Sequence, residues 1–266
     1  MVRRGIAASR SEAADAIRSG KVTVAGRPAA KSSMLVLPEE PIAMARSARR
    51  FVSRGGEKLA AALDRFGVHV SGRTALDAGA SSGGFTDCLL SREAAHVIAI
   101  DVGYGQLDWR LREDARVTVL ERTNVRDLQP EALPNVPDLV TADLSFISLR
   151  LVLPALVRCS APGAEFVLLV KPQFEAGRSE ADSGGGVVRD AEVWRRVLRS
   201  VATAAEELGL EVDGVMPSPL VGPAGNVEFF LHARRRTGAE TGTDGSIQSD
   251  LERAVEEGKE LAARHG

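Results

Sequence analysis

Two lysines and two carboxylates stand at positions where their chemistry could be combined. Lys171 ends the strictly apolar run of residues 166–170, and Asp143 follows another apolar run. Lys58 lies near the start of a helical pattern, and Glu228 lies near the start of the last apolar run. A lysine among carboxylates can hold a hydroxyl oxygen, stabilise the developing alkoxide and pass on its proton without a metal. The four together indicate activation of a hydroxyl group, although any one of them alone would be interpreted as a surface ion pair.

The elements that must position these residues follow an α/β rhythm. Beyond residue 54, short apolar runs alternate with helical patterns, which predicts a doubly wound, mainly parallel sheet with helices on both faces. Ligands of such sheets bind outside the carboxyl ends of the strands, where Asp143 and Lys171 lie. The predicted strands are residues 75–76, 97–100, 117–120, 139–140, 166–170, 212–216 and 227–231.

A turn of small residues follows the first predicted strand and opens onto a helix. Small residues let a ligand approach the backbone closely. The turn lacks the Gly-Lys-Ser/Thr of a phosphate-binding loop and the glycine spacing of a dinucleotide fingerprint, which argues against ATP and NAD. Asp101 ends the next strand, where a carboxylate can accept the ribose hydroxyls of a nucleoside. The candidate residues of the turn are Asp77, Gly79, Ala80, Ser81, Ser82, Gly83, Gly84 and Phe85.

The front of the chain carries a charge of the opposite sign to the rest. Residues 1–58 hold twelve Lys or Arg against five Asp or Glu, a balance of +7, which leaves −9 for the remainder. A locally basic segment on an acidic protein is typical of a phosphate-backbone binder. A small structural cap is the other interpretation. The candidate RNA-binding residues are Arg3, Arg4, Arg10, Arg18, Lys21, Lys31, Arg49 and Arg50.

This front segment has its own short elements. Ser9 and Glu12 have the spacing of a capping box, and an apolar stripe then predicts a helix that stops at Gly20. A strand at residues 21–24, a Gly-Arg-Pro turn and a second strand at residues 34–37 follow. The stretch RRGIAASRSEAADAIRSGKVTVAGRPAAKSSMLV resembles the S4 RNA-binding domain, although the residues with which S4 domains usually begin are missing.

The stretch LDAGASSGGFTDCLL resembles the S-adenosylmethionine-dependent methyltransferases, and above all the FtsJ-type RNA 2′-O-methyltransferases. By that resemblance, residues 79–85 cradle the methionine part of the cofactor and Asp101 holds its ribose. Asn124 and Val125 match positions that flank the adenine, although an Asn in such a loop is often a turn former. The resemblance also assigns Lys58, Asp143, Lys171 and Glu228 to a Lys-Asp-Lys-Glu catalytic tetrad in a Rossmann-like, seven-stranded fold whose last strand is antiparallel.

Four further stretches are similar to the TlyA, or hemolysin A, family of ribosomal RNA 2′-O-methyltransferases. They are RFVSRGGEKLAAAL, ADLSFISLRLVLPAL, LVKPQFEAGR and GPAGNVEFFLH. The resemblance covers about residues 1–235 and implies cytidine 2′-O-methylation in RNA of the small ribosomal subunit, and it leaves open whether RNA of the large subunit is also methylated. The partner so implied is ribosomal RNA or a ribosomal subunit.

The predicted organisation has four parts. Residues 1–46 form an S4-like RNA-binding domain, 47–54 a linker, 55–236 an FtsJ-like methyltransferase domain, and 237–266 a flexible tail with a terminal helix. Since the tail changes to Gly, Thr, Ser and Asp after Arg236, we expect no catalytic role for it.

The composition of the chain argues against a membrane-spanning or secreted protein. No apolar run approaches the roughly 20 residues that span a bilayer, and the start lacks the apolar stretch of a secretory signal. We expect a monomeric cytoplasmic protein without a metal, with Cys88 and Cys159 as reduced core residues. Two other functions stay open, namely an inactive RNA-binding or ribosome-associated protein and a secreted pore-former, and the hemolysin label of the family corresponds to the latter.

Overall fold

The computed structural model describes residues 1–7, 10–18, 20–44, 51–177, 186–237 and 246–265. The chain divides into two compact units, Met1–Arg49 and Arg50–Gly266, and each is described by itself. The candidate RNA-binding residues Arg49 and Arg50 lie outside the described residues.

The first unit is a short helix beside a small antiparallel sheet. Helix α1 spans Arg10–Arg18. The strands are β1 (Val22–Val24), β2 (Arg27–Pro28) and β3 (Ile42–Met44), in the order β2-β1-β3. Ala16 of the helix packs with Val22 and Val24 in a small core within this unit. The two valines alternate along β1 and so lie on the same face of the strand, toward the helix. The predicted helix and first strand are therefore confirmed.

The predicted strand at residues 34–37 is wrong. This segment has no strand in the structure, and Leu35 is 95% exposed. Strand β1 already pairs with β2 on one side and with β3 on the other, so no open edge of β1 remains for it. An apolar run forms a strand only where a sheet edge is available to pair with it.

The second unit contains a seven-stranded sheet in the order β6-β5-β4-β7-β8-β10-β9. Strand β10 is antiparallel to both of its neighbours, and the other paired strands are parallel. The strand order reverses between β4 and β7, which is where sheets of this kind bind ligands. This is the predicted Rossmann-like methyltransferase fold. The strands are β4 (Thr74–Ala78), β5 (His96–Ile100), β6 (Val117–Leu120), β7 (Leu139–Ala142), β8 (Glu165–Val170), β9 (Leu210–Pro217) and β10 (Phe229–Arg235).

Helices cover both faces of this sheet. They are α2 (Arg54–Phe66), α3 (Gly84–Ser91), α4 (Trp109–Arg112), α5 (Leu149–Arg158), α6 (Pro172–Glu175), α7 (Ala191–Glu207) and α8 (Ser246–His265). Strand β5 shows why the strands are apolar throughout. Val97 and Ala99 belong to the core on the side of α2 and α3, whereas Ile98 and Ile100 belong to the core on the side of α5, α7 and α8. The central strands are buried on both sides, whereas the edge strand β6 is half-buried.

The start of α2, the start of β10 and the packing of the terminal helix differ from the sequence expectation. Helix α2 begins at Arg54 because the Ser53 side chain accepts the hydrogen bond of Gly55 N, so Lys58 lies in its second turn rather than at its start. Strand β10 begins at Phe229, immediately after Glu228. The terminal helix, expected in a tail, packs on the sheet because Leu251, Ala254 and Val255 share one apolar face that is buried in the core.

Cys88 and Cys159 are buried thiols, as predicted. None of the helices that the structure describes combines the length and the apolarity that crossing a bilayer requires.

Candidate active site

Lys171 and Asp143 form an ion pair at the carboxyl edge of the sheet. Asp143 follows β7 and Lys171 follows β8, which are parallel neighbours, so their side chains meet. Lys171 Nζ lies 2.6 Å from Asp143 Oδ1 and donates a second hydrogen bond to Ser145 Oγ at 3.0 Å. The Asp143 side chain keeps 24% of its surface exposed. The sequence therefore placed both groups correctly, and the pair is accessible to a substrate.

Lys58 and Glu228 form a second pair, which is buried. Lys58 Nζ lies 2.6 Å from Glu228 Oε2, and their side chains are 9% and 2% exposed. Antiparallel pairing sets Phe229 opposite Val170, so Glu228 lies at the same edge as Lys171. A Cβ atom on Gly222 would lie 2.6 Å from Glu228 Oε1, so only glycine leaves room for this carboxylate. The structure thus places the four candidate catalytic residues at one edge of the sheet as two ion pairs, one joining the ends of β7 and β8 and the other joining α2 to the start of β10.

The two loops that carry Asp143 and Lys171 are held to each other. Beyond the ion pair, Glu175 Oε2 accepts a bond from Ser148 Oγ and Glu175 Oε1 accepts one from Leu149 N, both at 2.5 Å. Glu175 is buried, and its bond to Leu149 N satisfies a backbone donor at the start of α5. The sequence did not single out Glu175, because a glutamate in the stretch PQFEAG has the pattern of an exposed loop residue.

Phe146 is a second residue that sequence reasoning missed. It is 92% exposed and has a left-handed backbone with φ of +64°, a conformation that costs a side-chain-bearing residue about 1–3 kcal/mol. Its ring lies 5.0 Å from that of Phe174, which in turn lies 5.9 Å from Lys171 Nζ. An exposed ring at this position can stack on a nucleobase. The signal in the sequence was an aromatic residue three positions after Asp143.

Asp77 lies under the small-residue turn with one carboxylate oxygen unpaired. Thr86 Oγ1 donates a 2.6 Å bond to Asp77 Oδ2, whereas Asp77 Oδ1 is buried and has no hydrogen-bond partner among the residues that the structure describes. Burial raises the pKa of Asp77 from 3.8 to about 7, although the Thr86 bond opposes the shift. A buried oxygen without a donor is costly, and the cationic group of a ligand would remove that cost.

Gly79 opens the turn between β4 and α3. It adopts a φ of +87°, and a Cβ atom there would lie 2.5 Å from Asp143 O. Any larger residue would push the turn away from the loop that carries Asp143. The cofactor candidates and the catalytic candidates are therefore packed directly against each other.

Asp101 lies across the turn at the end of β5. Its Oδ2 accepts the 2.8 Å bond of Ser81 N and its Oδ1 accepts the 2.7 Å bond of Gly103 N. Asp101, Ala80, Ser81 and Gln106 line a narrow cleft beside this carboxylate. The carboxylate is thus held in place by backbone donors at the mouth of a cleft, which suits a ligand with hydroxyl groups.

The remaining cofactor candidates have structural contacts of their own. Gly83 precedes α3 with a φ of +95°, and Gly84 begins that helix against Ser53. Phe85 is buried and stacks on Phe230, so its side chain packs in the core. Ser82 O accepts a bond from Asp108 N.

The two candidates for the adenine end of the cofactor lie just past β6. Asn124 caps a short 3-10 helix by accepting the bond of Arg126 N, which is the turn-forming role that such a residue often has. Val125 is buried in the core.

The basic residues of the first unit are mostly on its surface. Arg3, Arg18, Lys21 and Lys31 are exposed, and Arg10 begins α1. Arg4 has a structural role, since its guanidinium donates to Glu40 O at 2.7 Å and to Leu37 O at 2.8 Å. Among the residues described in both units, no group of three or more His, Cys, Asp or Glu side chains could hold a metal ion.

Known proteins share both units of this chain. The FtsJ-like methyltransferase family matches residues 51–235, and the S4 domain matches residues 1–42. A Mycobacterium tuberculosis protein named 16S/23S rRNA (cytidine-2′-O)-methyltransferase TlyA is 52% identical over 97% of this chain and 96% of its own length. The chain belongs to the TlyA family of FtsJ-like methyltransferases. This membership confirms the predicted fold and the predicted cofactor, S-adenosylmethionine.

Other TlyA family members carry a different label. A Brachyspira hyodysenteriae protein named hemolysin A is 37% identical over 86% of this chain and 95% of its own. A solved structure from Streptococcus thermophilus, also labelled a hemolysin, matches with a TM-score of 0.80 at 34% identity, over 97% of this chain and 92% of that chain.

Proposed function

We propose that this TlyA family member transfers a methyl group from S-adenosylmethionine to the ribose 2′-hydroxyl of a cytidine in ribosomal RNA. One observation carries the proposal. Two ion pairs, Lys171–Asp143 and Lys58–Glu228, lie at one sheet edge beside the glycine turn. The choice of ribosomal RNA and cytidine rests on the relative that is 52% identical along nearly the whole chain.

The residues around the turn fit the cofactor. The unpaired Asp77 Oδ1 suits an ammonium group, and Gly79 leaves the backbone accessible. The Asp101 carboxylate, held by two backbone donors, suits the ribose hydroxyls. S-adenosylmethionine supplies an electrophilic methyl group on a positively charged sulfur, so the protein has only to orient and activate the attacking oxygen.

Lys171 is the central group in this proposal. An ammonium has three N–H donors, and two of those of Lys171 go to Asp143 and Ser145. In the described part of the chain, one donor is then left to hold the ribose 2′-oxygen. As that oxygen bonded to the methyl carbon, the bond between that carbon and the cofactor's sulfur would break and leave its electron pair on sulfur. The hydroxyl proton would pass to the Asp143 carboxylate, and Lys171 would offset the charge on the oxygen.

The Lys58–Glu228 pair is buried at the same edge of the sheet. Because both side chains are buried, neither charge can be removed singly without leaving the other uncompensated. We assign the pair the task of holding the end of β10 and the start of α2 at the active site. The exposed basic residues of the first unit would hold the RNA backbone.

Transfer of labelled methyl groups to ribosomal RNA tests the proposal. We expect the wild-type protein to yield 2′-O-methylcytidine. Because the Lys171→Ala variant loses the group that activates the oxygen, we expect its kcat to be lower by about 10²–10⁴-fold with an unchanged Kd for S-adenosylmethionine. The matched control is Lys259→Ala, which removes an exposed lysine of α8 and should behave as wild type.

Label that Lys171→Ala transfers at the wild-type rate would contradict the catalytic assignment. Label found on a base rather than on a ribose would contradict the choice of the 2′-hydroxyl. An RNA that binds but never acquires label would favour an inactive RNA-binding protein.

A further inference from the structure

The terminal helix α8 packs against the segment that carries Glu228. Gly258 of this helix is buried, and a Cβ atom added to it would lie 3.1 Å from Phe229 Cζ and 3.4 Å from Val227 Cγ1. The missing side chain of glycine is what lets the two segments approach so closely. Helix α8 therefore lies directly against the residues on either side of a candidate catalytic glutamate.

The side chains of this segment alternate between the two faces of the sheet. Val227 and Phe229 belong to the core on the side of α5, α7 and α8. Glu228 points the other way, since its Oε2 lies 2.6 Å from Lys58 Nζ of α2. Neighbouring residues of an extended chain point to opposite faces. A push from α8 on Val227 and Phe229 would therefore be transmitted to Glu228, toward α2.

Phe229 has little freedom to absorb such a push. Its ring is fully buried and lies 5.6 Å from the ring of Trp194 in an edge-on arrangement. Close-packed interiors transmit strain because they contain few voids. The backbone of Glu228 would move instead, and its carbonyl oxygen accepts the 2.8 Å bond of Ser218 N, so a shift of this backbone would disturb that bond.

A second contact joins α8 to the helix that carries Lys58. Glu257 Oε1 of α8 lies 3.1 Å from Arg65 Nη2 of α2, and Arg65 follows Lys58 by two helical turns. Both side chains of this pair are exposed, so it contributes little to the position of the helices. The close approach at Gly258 is therefore the contact through which α8 can place Glu228.

We propose that α8 is a positioning element of the active site and that Gly258 is the residue through which it sets the placement of Glu228 against Lys58. The proposal rests on the proposed function, in which this ion pair holds β10 and α2 at the active site. Gly258 touches neither substrate nor cofactor in this proposal and acts only through Glu228.

Adding a side chain at position 258 tests this role. The methyl group of Gly258→Ala requires Val227 and Phe229 to give way by a few tenths of an ångström, and Gly258→Val requires more. Because a misplacement of about 1 Å can cost about 10²-fold in rate, we expect kcat to be about 3–10-fold lower in Gly258→Ala. It should be lower still in Gly258→Val. The KM for RNA and the Kd for S-adenosylmethionine should not change.

The matched control is Lys259→Ala, which places alanine at the neighbouring, exposed position of the same helix and should keep the wild-type kcat. Alanine favours a helix more than glycine does, which offsets part of the packing strain of Gly258→Ala. We therefore expect this variant to be fully folded in the assay, as urea unfolding would show, even if Gly258→Val is not.

A double-mutant cycle separates positioning from a general structural effect. In a Glu228→Gln background no carboxylate is left to misplace, so Gly258→Ala should lower kcat no further. The same fold-loss in both backgrounds would overturn the proposal, because Gly258 would then act elsewhere. A wild-type kcat in Gly258→Ala, or a fall in kcat that only matches the loss of folded protein, would overturn it as well.

Failure of the proposed function would look different from failure of this inference. Hydrogen exchange at the Ser218 amide, which donates to Glu228 O, needs no methyl transfer. We expect it to be faster in Gly258→Ala than in the wild type and in Lys259→Ala. A wild-type protein that transfers no label would count against the reaction, and the exchange at Ser218 would still decide whether α8 places Glu228. Unchanged exchange would overturn the positioning role.

Discussion

At the scale of single residues, the active site depends on charges that are buried or half-buried in pairs. Removing one partner of such a pair leaves an uncompensated charge and typically costs about 3–5 kcal/mol. Lys58 and Glu228 illustrate this constraint, since both lie inside the protein 2.6 Å apart. Asp77 is the exception, because its carboxyl is fully buried and one of its oxygens has no partner in the described part of the chain.

Asp77 leads to a prediction on pH. Its pKa is raised from 3.8 to about 7, chiefly by burial. In the ligand-free protein the carboxyl therefore stays protonated up to a pH of about 7. If Asp77 pairs with the cofactor's ammonium, as in the proposed function, it must lose this proton when the cofactor binds. We expect the affinity for S-adenosylmethionine to rise with pH from 5.5 to 7, by up to about tenfold per pH unit, and to level off above 7.

Calorimetric titration in buffers of different ionisation enthalpy measures this effect, since it reports both the affinity and the protons released. The control is Asp77→Asn, which cannot titrate and whose affinity should be flat over the same range. A variant that retains the wild-type pH dependence would assign the titration to another group.

At the scale of elements, the loops after β7 and β8 act as one unit. They meet at Lys171 with Asp143, at Phe174 with Phe146, and at Glu175 with the start of α5. These contacts follow in the same order along both loops. A displacement of either loop therefore moves both the proposed catalytic lysine and the exposed ring of Phe146.

Glu175 is the residue whose loss should separate these loops. Glu175→Ala leaves Leu149 N without its acceptor and should lower the free energy of unfolding by about 1–3 kcal/mol. It should also lower kcat for methyl transfer while the Kd for S-adenosylmethionine stays the same. Chemical denaturation and single-turnover methylation measure the two effects.

Glu175→Gln is the matched control for this prediction. Its side-chain oxygen can still accept from Leu149 N, so much of the stability and the activity should return. Wild-type stability and kcat in Glu175→Ala would show that the contact between the two loops is dispensable.

At the scale of the whole molecule, the first part of the chain has a net positive charge and the remainder has a net negative charge. Residues 1–58 carry +7 and the rest carries −9. Basic residues that neutralise phosphates release counterions, so the part of a protein that binds the RNA backbone determines the salt dependence of binding. The first unit is the part with the excess of positive charge.

Deletion of residues 1–46 tests this division. We expect weaker RNA binding with a shallower salt slope, and an affinity for S-adenosylmethionine that is unchanged, because the cofactor candidates all belong to the second unit. Filter binding at several salt concentrations measures both RNA quantities. The full-length Lys21→Gln/Lys31→Gln variant is the control that removes charge and keeps the unit, and equal RNA affinity after the deletion would refute the prediction.

The sheet edge, the small-residue turn and the four candidate catalytic residues could be predicted from the sequence. Strand-end positions such as Asp143 and Lys171 can be predicted because every parallel strand of a doubly wound sheet delivers its last residue to the same edge. Gly79 could be predicted because small residues mark a close approach of the backbone. Both signals are local in the chain.

The contacts between these groups, and the residues that support them, could be read only from the folded chain. Glu175 and Arg150 meet across 25 residues, and Lys58 and Glu228 across 170, so no local pattern records either contact. For the same reason, the sequence wrongly predicted a strand at residues 34–37 and did not predict that the terminal helix packs on the sheet. An apolar pattern shows that a segment can be buried, whereas the available sheet edges and faces decide whether it is.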